Sequence, residues 1–289
     1  MKDNLRIALT FSGGGYRAAT FHLGALSYLH SVKVGEFTLL DHVVALSTIS
    51  GGTITGLRYM LGLSRGESVT DIFKELYTFL TDVELATVAM NNLASYDKGQ
   101  CASLIRTMAD IYNKELFKGA VLGDLMDQLD DIHICHFAAN ATDFTNGLAF
   151  RFQVTEKTGV RQEQATGYGL IGNNKIRIPR EVARHIRLSE VLACSSCFPS
   201  GFEPLVFPKD FVLGDSEEVK KFIAKTEPFG IMDGGIVDNQ GIEPILLAEQ
   251  RMETSLGCKD GKCLDLIIVS DVASPYTVSY THLRAHETD

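Results

Sequence analysis

Apolar and polar positions fall into two repeated units at the start of the chain. Leu5 to Phe11 is a short, largely apolar run, the pattern of a buried strand. Ser12-Gly13-Gly14-Gly15 breaks it, and Ala18, Phe21, Ala25, Leu29 and Val32 then recur at three- and four-residue steps, which predicts a helix. Its small members, Ala18, Ala19, Gly24 and Ala25, let that helix lie close to a sheet, and Gly35 fits its stop. The second unit repeats the plan: an apolar, β-branched run from His42 to Ile49, the turn Ser50-Gly51-Gly52, then Ile54, Leu57 and Leu61 at helical spacing. Two consecutive strand–glycine turn–helix units predict an α/β protein with a largely parallel sheet.

From Ser68 to about Gln128 the periodicity is helical, with Ile72, Leu76, Phe79 and Val83 on one face, and the stretch reads as a helical insertion or cap over the sheet. Strand character returns at Ile132 to Asn140 and Ala149 to Val154, with Thr145-Asn146-Gly147 as a hairpin turn between them. Arg161 to Asn174 is polar and glycine-bearing, the composition of a mobile loop. A helix near Pro179 to Ala193, a strand near Phe229 to Met232, a helix from Ile242 to Met252 and a last strand from Leu264 to Val269 complete the expected order. Tyr276 to Asp289 has no clear periodicity and is set aside as a non-native or disordered tail, leaving residues 1–275 as one domain.

Composition narrows the classes. The chain has 289 residues, 45% hydrophobic and 22% charged, within ordinary globular usage, so a disordered or collagen-like chain is excluded. Lys plus Arg number 27 against 36 Asp plus Glu, a net charge of −9, which argues against a general nucleic-acid binder. No apolar run reaches the roughly 18 residues of a membrane span, and the apolar run Ile7 to Phe11 is too short for a signal-peptide core, so a cytoplasmic location is expected. Six cysteines are too few for a disulfide scaffold; Cys194 and Cys197 form a lone CxxC in an apolar context and read as small buried thiols.

Three segments carry candidate chemistry. Ser50 falls between a strand end and a helix start, where a hydroxyl stands proud of the sheet and the helix points its N–H groups at it. The nucleophile-elbow pattern Gly-x-Ser-x-Gly is met at its trailing glycine, Gly52, but the leading position is Thr48; crowding of the strand–helix contact by this β-branched residue would favour a silent scaffold, and its accommodation two positions before the serine is the favoured reading. On this segment alone an inert N-cap serine is the simpler explanation. Ser12-Gly13-Gly14-Gly15 leaves backbone N–H groups unshielded, a nest for a phosphate or an oxyanion, with Arg17 in the next helical turn; a tight turn with nothing bound is the plain alternative. Neither nucleotide-binding glycine pattern is present. Asp233, in Ile231-Met232-Asp233-Gly234-Gly235, places a carboxylate at a strand end, where a solvated turn is the usual explanation.

Together these pieces resemble the patatin-like phospholipase family. The matching segments are Ser12–Arg17, Thr48–Gly52, Asp233-Gly234-Gly235, and Leu192–Pro199 with Phe202-Glu203-Pro204, in the family's order and over about residues 5 to 271. The opening Ser-Gly-Gly-Gly-Tyr-Arg-Ala is also similar to that of the cytosolic phospholipases of the same superfamily.

The resemblance implies a three-layer α/β/α sandwich and acyl-ester hydrolysis by a Ser–Asp dyad without a histidine. It makes Ser50 the nucleophile, Asp233 the general base, and Gly13, Gly14, Gly15 and Gly51 the oxyanion hole; Arg17 is a cation placed to hold a lipid phosphate or to brace the loop. No cofactor or metal is implied, and the partners are a lipid or phospholipid substrate and peripheral contact with a membrane surface. An aspartate with its ordinary pKa of about 3.9 is a weak base, so the dyad requires a partly desolvated carboxylate near Ser50. His22, His30 and His42 read as packing or surface residues. Two other classes remain at this point: a catalytically silent lipid- or partner-binding protein on the same scaffold, and an anion- or nucleotide-binding α/β protein using the glycine nest.

Overall fold

A computed structural model describes residues 5–95, 103–155, 171–256 and 263–272. The first unit forms as its pattern predicts, β1 (Ile7–Phe11) then α1 (Gly15–Ser31), followed by a small hairpin of β2 (Lys33–Val34) and β3 (Phe37–Thr38). The second is β4 (Val43–Ile49) then α2 (Gly51–Ser64). The helical stretch contains α3 (Val69–Asp82), α4 (Leu85–Ser95), α5 (Leu104–Tyr112) and α6 (Leu122–Gln128). Then come β5 (His136–Asp143), β6 (Leu148–Thr155), β7 (Ile171–Gly172), β8 (Arg177–Ile178), α7 (Arg180–Ala183), α8 (Leu188–Ser195), β9 (Leu205–Phe207), α9 (Glu217–Lys225), β10 (Phe229–Asp233), α10 (Ile242–Leu256) and β11 (Leu266–Ser270).

The sheet runs β11-β1-β4-β5-β6-β7-β8. Its first four strands are parallel, and β6 returns antiparallel against the whole of β5. Successive strand residues point to opposite faces, and β1 shows the consequence: Ile7, Leu9 and Phe11 enter the large core with residues of α1 and α2, while Ala8 joins Ala45 beneath Ile245 and Ala248 of α10. Helices on both faces of a mixed sheet whose central strands are mostly parallel make the three-layer α/β/α arrangement, which agrees with the expected fold class.

Three local expectations are corrected. Gly35 does not stop α1, which ends at Ser31; with φ 65° it makes the turn between β2 and β3, a left-handed position that suits glycine. The helix expected over 179–193 is two helices, because Leu122 N–H bonds Ile186 C=O and Leu188 N–H bonds Ala120 C=O, drawing the intervening chain into a bridge. The strand expected from Ile132 begins at His136, behind a short 3-10 turn at Leu129–Asp131, and runs on to Asp143. Cys194 and Cys197 are buried free thiols, and Cys263 is disulfide-bonded. The tail from Tyr276 and residues 161–170 of the expected loop lie outside the described residues.

Candidate active site

The two glycine turns interlock, which explains their composition. A Cβ on Gly51 would fall 2.0 Å from the Gly15 carbonyl oxygen, and one on Gly52 2.6 Å from that of Phe11. Side chains at either position would force the first loop off the second. Ser50, between β4 and α2, sits at φ 50° and ψ −120°. For a non-glycine residue such backbone costs roughly 1–3 kcal/mol and persists only where its surroundings hold it. They do so here: Ser50 N–H donates to Ser195 Oγ at 2.9 Å, and its carbonyl accepts from Thr53 N–H at 2.8 Å.

Thr48, the departure at the elbow's leading position, is accommodated by α2. A Cβ on Gly56 would stand 2.3 Å from Thr48 Cγ2, so the space that a glycine at 48 leaves open is supplied by the glycine at 56. The Thr48 hydroxyl accepts from Thr53 Oγ1 at 3.1 Å and donates to Ala138 C=O at 3.4 Å. Thr48 therefore fits at the elbow's leading position without crowding α2.

Strand β5 brings Ser50 to Asp233. Its His136–Asn140 segment pairs with β4, ending at Ile49 opposite Asn140, while its Ala141–Asp143 segment pairs antiparallel with β10, ending at Asp233 opposite Ala141. Because β6 covers the other edge of β5 along its length, β4 and β10 share one edge and meet end to end. The residue after β4 and the last residue of β10 consequently face each other. The Asp233 backbone is held by N–H donation to Cys197 C=O at 3.0 Å and by acceptance from Thr142 Oγ1 at 2.9 Å.

Asp233 is only 4% exposed. Burial raises its pKa above the ordinary carboxylate value, while the Gly235 N–H, donating to Oδ1 at 2.7 Å, and the Ser50 side chain act in the opposite direction. The Ser50 hydroxyl thus lies near enough to the carboxylate to favour its charged form. The partly desolvated carboxylate that a dyad demands is present. Burial also raises the thiol pKa of Cys197 to about 12, and that of Cys194 well above its ordinary value, so neither is a thiolate near neutral pH.

The glycine loop lies beside the pair. Gly13 N–H donates to Asn239 C=O at 3.1 Å, so this glycine anchors the loop where a free donor was expected. Gly14, Gly15 and Gly51 lie at or beside the starts of α1 and α2, where N–H groups have no intrahelical acceptor. Ser12 ties the loop to the end of β11: its N–H donates to Ser270 C=O at 3.1 Å and its Oγ accepts from Val272 N–H at 3.0 Å. His22 braces it from below, with Nε2 3.0 Å from Ser12 C=O and Nδ1 2.8 Å from Ser270 Oγ. Since a carbonyl only accepts, Nε2 carries the proton. Read as a packing residue, His22 also holds the loop; the available signal was a polar residue on the buried Ala18-Ala19-Leu23-Leu26 stripe.

Ser50 and Asp233 open into a cavity of about 750 Å³, within the range of small-molecule sites. Its walls are mostly apolar: Ile54, Leu85, Met108, Tyr112, Phe198 and Phe202, with Gly14, Gly15, Gly51 and the exposed Arg17 on its polar side. The helical stretch over the sheet supplies Leu85, Met108 and Tyr112.

This is an α/β scaffold that sets a turn-borne hydroxyl against a buried carboxylate beside a glycine-rich helix start. The sequence profile of patatin-like phospholipases matches residues 9–246, and the chain belongs to that family. Lipid acyl hydrolysis is the activity assigned at family level. No match was found among curated protein sequences. Among solved structures, human GIVD cytosolic phospholipase A2, in complex with methyl gamma-linolenyl fluorophosphonate and terbium chloride, is similar over 98% of this chain and 44% of its own, with 16% identity and TM-score 0.51. VipD from Legionella pneumophila is similar over 82% and 47%, with 13% identity and TM-score 0.40. ExoU of Pseudomonas aeruginosa, solved with SpcU, is similar over 68% and 39%, with 17% identity and TM-score 0.31. The likeness to the human enzyme is one of fold, and the chain spans less than half the length of each of these structures. Among the described residues no helix is long and apolar enough to cross a membrane.

Proposed function

We propose that this chain cleaves lipid acyl esters, with Ser50 as nucleophile and Asp233 as general base. The observation that carries the reading is the pairing of a strained, cavity-facing serine with a buried aspartate of raised pKa at the junction of β4 and β10. Asp233 takes the hydroxyl proton as Ser50 Oγ attacks the ester carbonyl, then returns it to the departing alcohol. A water, deprotonated by the same carboxylate, attacks the acyl-enzyme, and the proton passes back to Ser50 as the fatty acid leaves. The N–H groups of Gly14, Gly15 and Gly51 receive the oxyanion, a role worth about 3–4 kcal/mol per donor, and Gly13 fixes the loop that carries two of them. The apolar cavity takes the acyl chain, and Arg17 meets a phosphate at its rim. Phe198 and Ile236, 60% and 43% exposed, line the same cavity and suit peripheral contact with a lipid surface.

The fit of Thr48 against Gly56 favours this reading over a silent binding scaffold, since the elbow keeps its shape despite the missing leading glycine. The test is labelling with a fluorophosphonate probe together with turnover of a short-chain nitrophenyl ester. Wild type reacts with both; Ser50→Ala and Asp233→Asn fold normally by circular dichroism and fall to background in turnover. Full activity in either variant would overturn the assignment.

A further inference from the structure

The Leu192–Pro199 segment contributes Ser196, Phe198 and Pro199 to the cavity, but Ser195 and Cys197 are absent from its walls. Both are fully buried at the C-terminal end of α8. We propose that the Ser195–Cys197 turn is a clasp that sets the spacing of Ser50 and Asp233, with Ser195 as the positioning residue for the nucleophile. The proposal rests on the Ser50–Asp233 reading above.

Ser195 Oγ accepts the Ser50 N–H at 2.9 Å and donates to Asn140 C=O at 2.7 Å, with Thr53 Oγ1 2.8 Å away. Asn140 is the β5 residue opposite Ile49, next to the one opposite Asp233. Its side-chain amide donates in turn to Ser47 Oγ at 2.9 Å and Thr48 C=O at 3.0 Å, on the strand leading to the nucleophile. Two residues beyond Ser195, the Cys197 carbonyl accepts the Asp233 N–H at 3.0 Å. One turn of chain therefore grips the backbone of the nucleophile, the backbone of the base and the strand between them. A hydroxyl is required because the same atom must accept from one backbone group and donate to another. An alanine would leave the Ser50 N–H and the Asn140 carbonyl without their buried partner, and the φ 50° backbone without its restraint.

The experiment compares Ser195→Ala, Ser195→Cys and Ser216→Ala. The last removes an N-cap on α9, outside the cavity lining, and controls for general loss of stability. In Ser195→Ala, kcat falls about 10- to 100-fold, because misplacement of a reacting group by about 1 Å is enough for that loss. KM stays within about twofold, and fluorophosphonate inactivation slows by the same factor as kcat. The acid limb of the kcat profile also moves to higher pH, since a Ser50 hydroxyl no longer aimed at Asp233 ceases to favour its charged form. Ser195→Cys, which keeps a weak donor and acceptor in the same shape, is intermediate and carries the test if the alanine variant fails to fold. Ser216→Ala keeps wild-type kcat. Wild-type kcat in both Ser195 variants, or a loss confined to KM with an unmoved acid limb, overturns the clasp. An inactive Ser50→Ala beside a fully active Ser195→Ala removes the clasp and leaves the dyad standing; an active Ser50→Ala removes the dyad itself.

Discussion

Replacing Gly56 by alanine tests whether the serine turn and the helix behind it are fitted to one another. The new methyl would stand 2.3 Å from Thr48 Cγ2 and 3.4 Å from Thr48 Cβ, with Phe11 Cδ2 3.5 Å away. Carbon atoms are in favourable contact at about 3.5–4.0 Å, so α2 must back away from β4 by about 1 Å. Every residue from Gly51 to Gly62 is buried, which leaves the helix little room to yield. Overpacking at such a site costs about 3 kcal/mol at the upper end of its usual range, while alanine for glycine inside a helix gains about 1 kcal/mol. The expected net loss is about 2 kcal/mol. In a Thr48→Ala background the 2.3 Å contact no longer exists. There Gly56→Ala should stabilise by about 1 kcal/mol through helix propensity alone. The hydroxyl lost with Thr48 is absent from both members of that comparison and cancels, leaving a coupling of about 3 kcal/mol. Urea unfolding midpoints at constant slope measure the cycle, and fluorophosphonate labelling reports the aim of Ser50, slowed by Gly56→Ala and restored in the double variant. Equal destabilisation by Gly56→Ala in both backgrounds would refute the fit.

Asp233→Asn should be inactive yet more heat-stable than wild type near neutral pH. A carboxyl whose folded pKa is raised by burial holds its proton longer folded than unfolded, so the wild type loses stability as pH rises from the ordinary aspartate value through the raised one. The Tm gap between variant and wild type should widen from pH 4 to pH 7; a constant gap would refute this. His22 works in the other direction. Burial lowers its pKa from 6.5 to about 4 against weaker opposing effects from Ser12 and Asp271. The unfolded chain therefore binds the proton first, and up to about 3 kcal/mol of stability disappears as pH falls from 6.5 to 4. In His22→Gln, less stable overall for want of the ring stacked on Phe11, the profile in that window should be flatter by this amount, and an unchanged slope would remove His22 as the cause.

Where an element answers to its own neighbours in sequence, the pattern of residues was sufficient to read it. The β1–α1 and β4–α2 units, the helical stretch over the sheet and the β5–β6 hairpin all carry local periodicity or turn chemistry and formed within a few residues of expectation. The failures share a cause. The break between α7 and α8 comes from bridging to residues 120–122, and Gly35 turns a hairpin that its local composition did not announce. At the site, Ser50 and Asp233 stood out because each lies at a strand end beside glycine. Gly56 did not, because nothing near it in sequence marks it, and Ser195 lies in the matching Leu192–Pro199 segment without any local sign of its task; their meaning lies in Thr48 and Ser50, adjacent to them in space. Asn239, whose carbonyl accepts the Gly13 N–H, likewise takes its part in the loop from a partner far away along the chain.

The order of residues alone determined that two glycine turns would join strands to helices, that each would present unshielded amides, and that an acid would end a later strand. These are consequences of backbone sterics and hydrophobic period, which act over a few residues. Only the tertiary structure decided that β10 would run head-on into β4 along one edge of β5, and that a hydroxyl from α8 would hold the join. Strand pairing and burial are choices among distant partners, settled by which packing satisfies every backbone group at once.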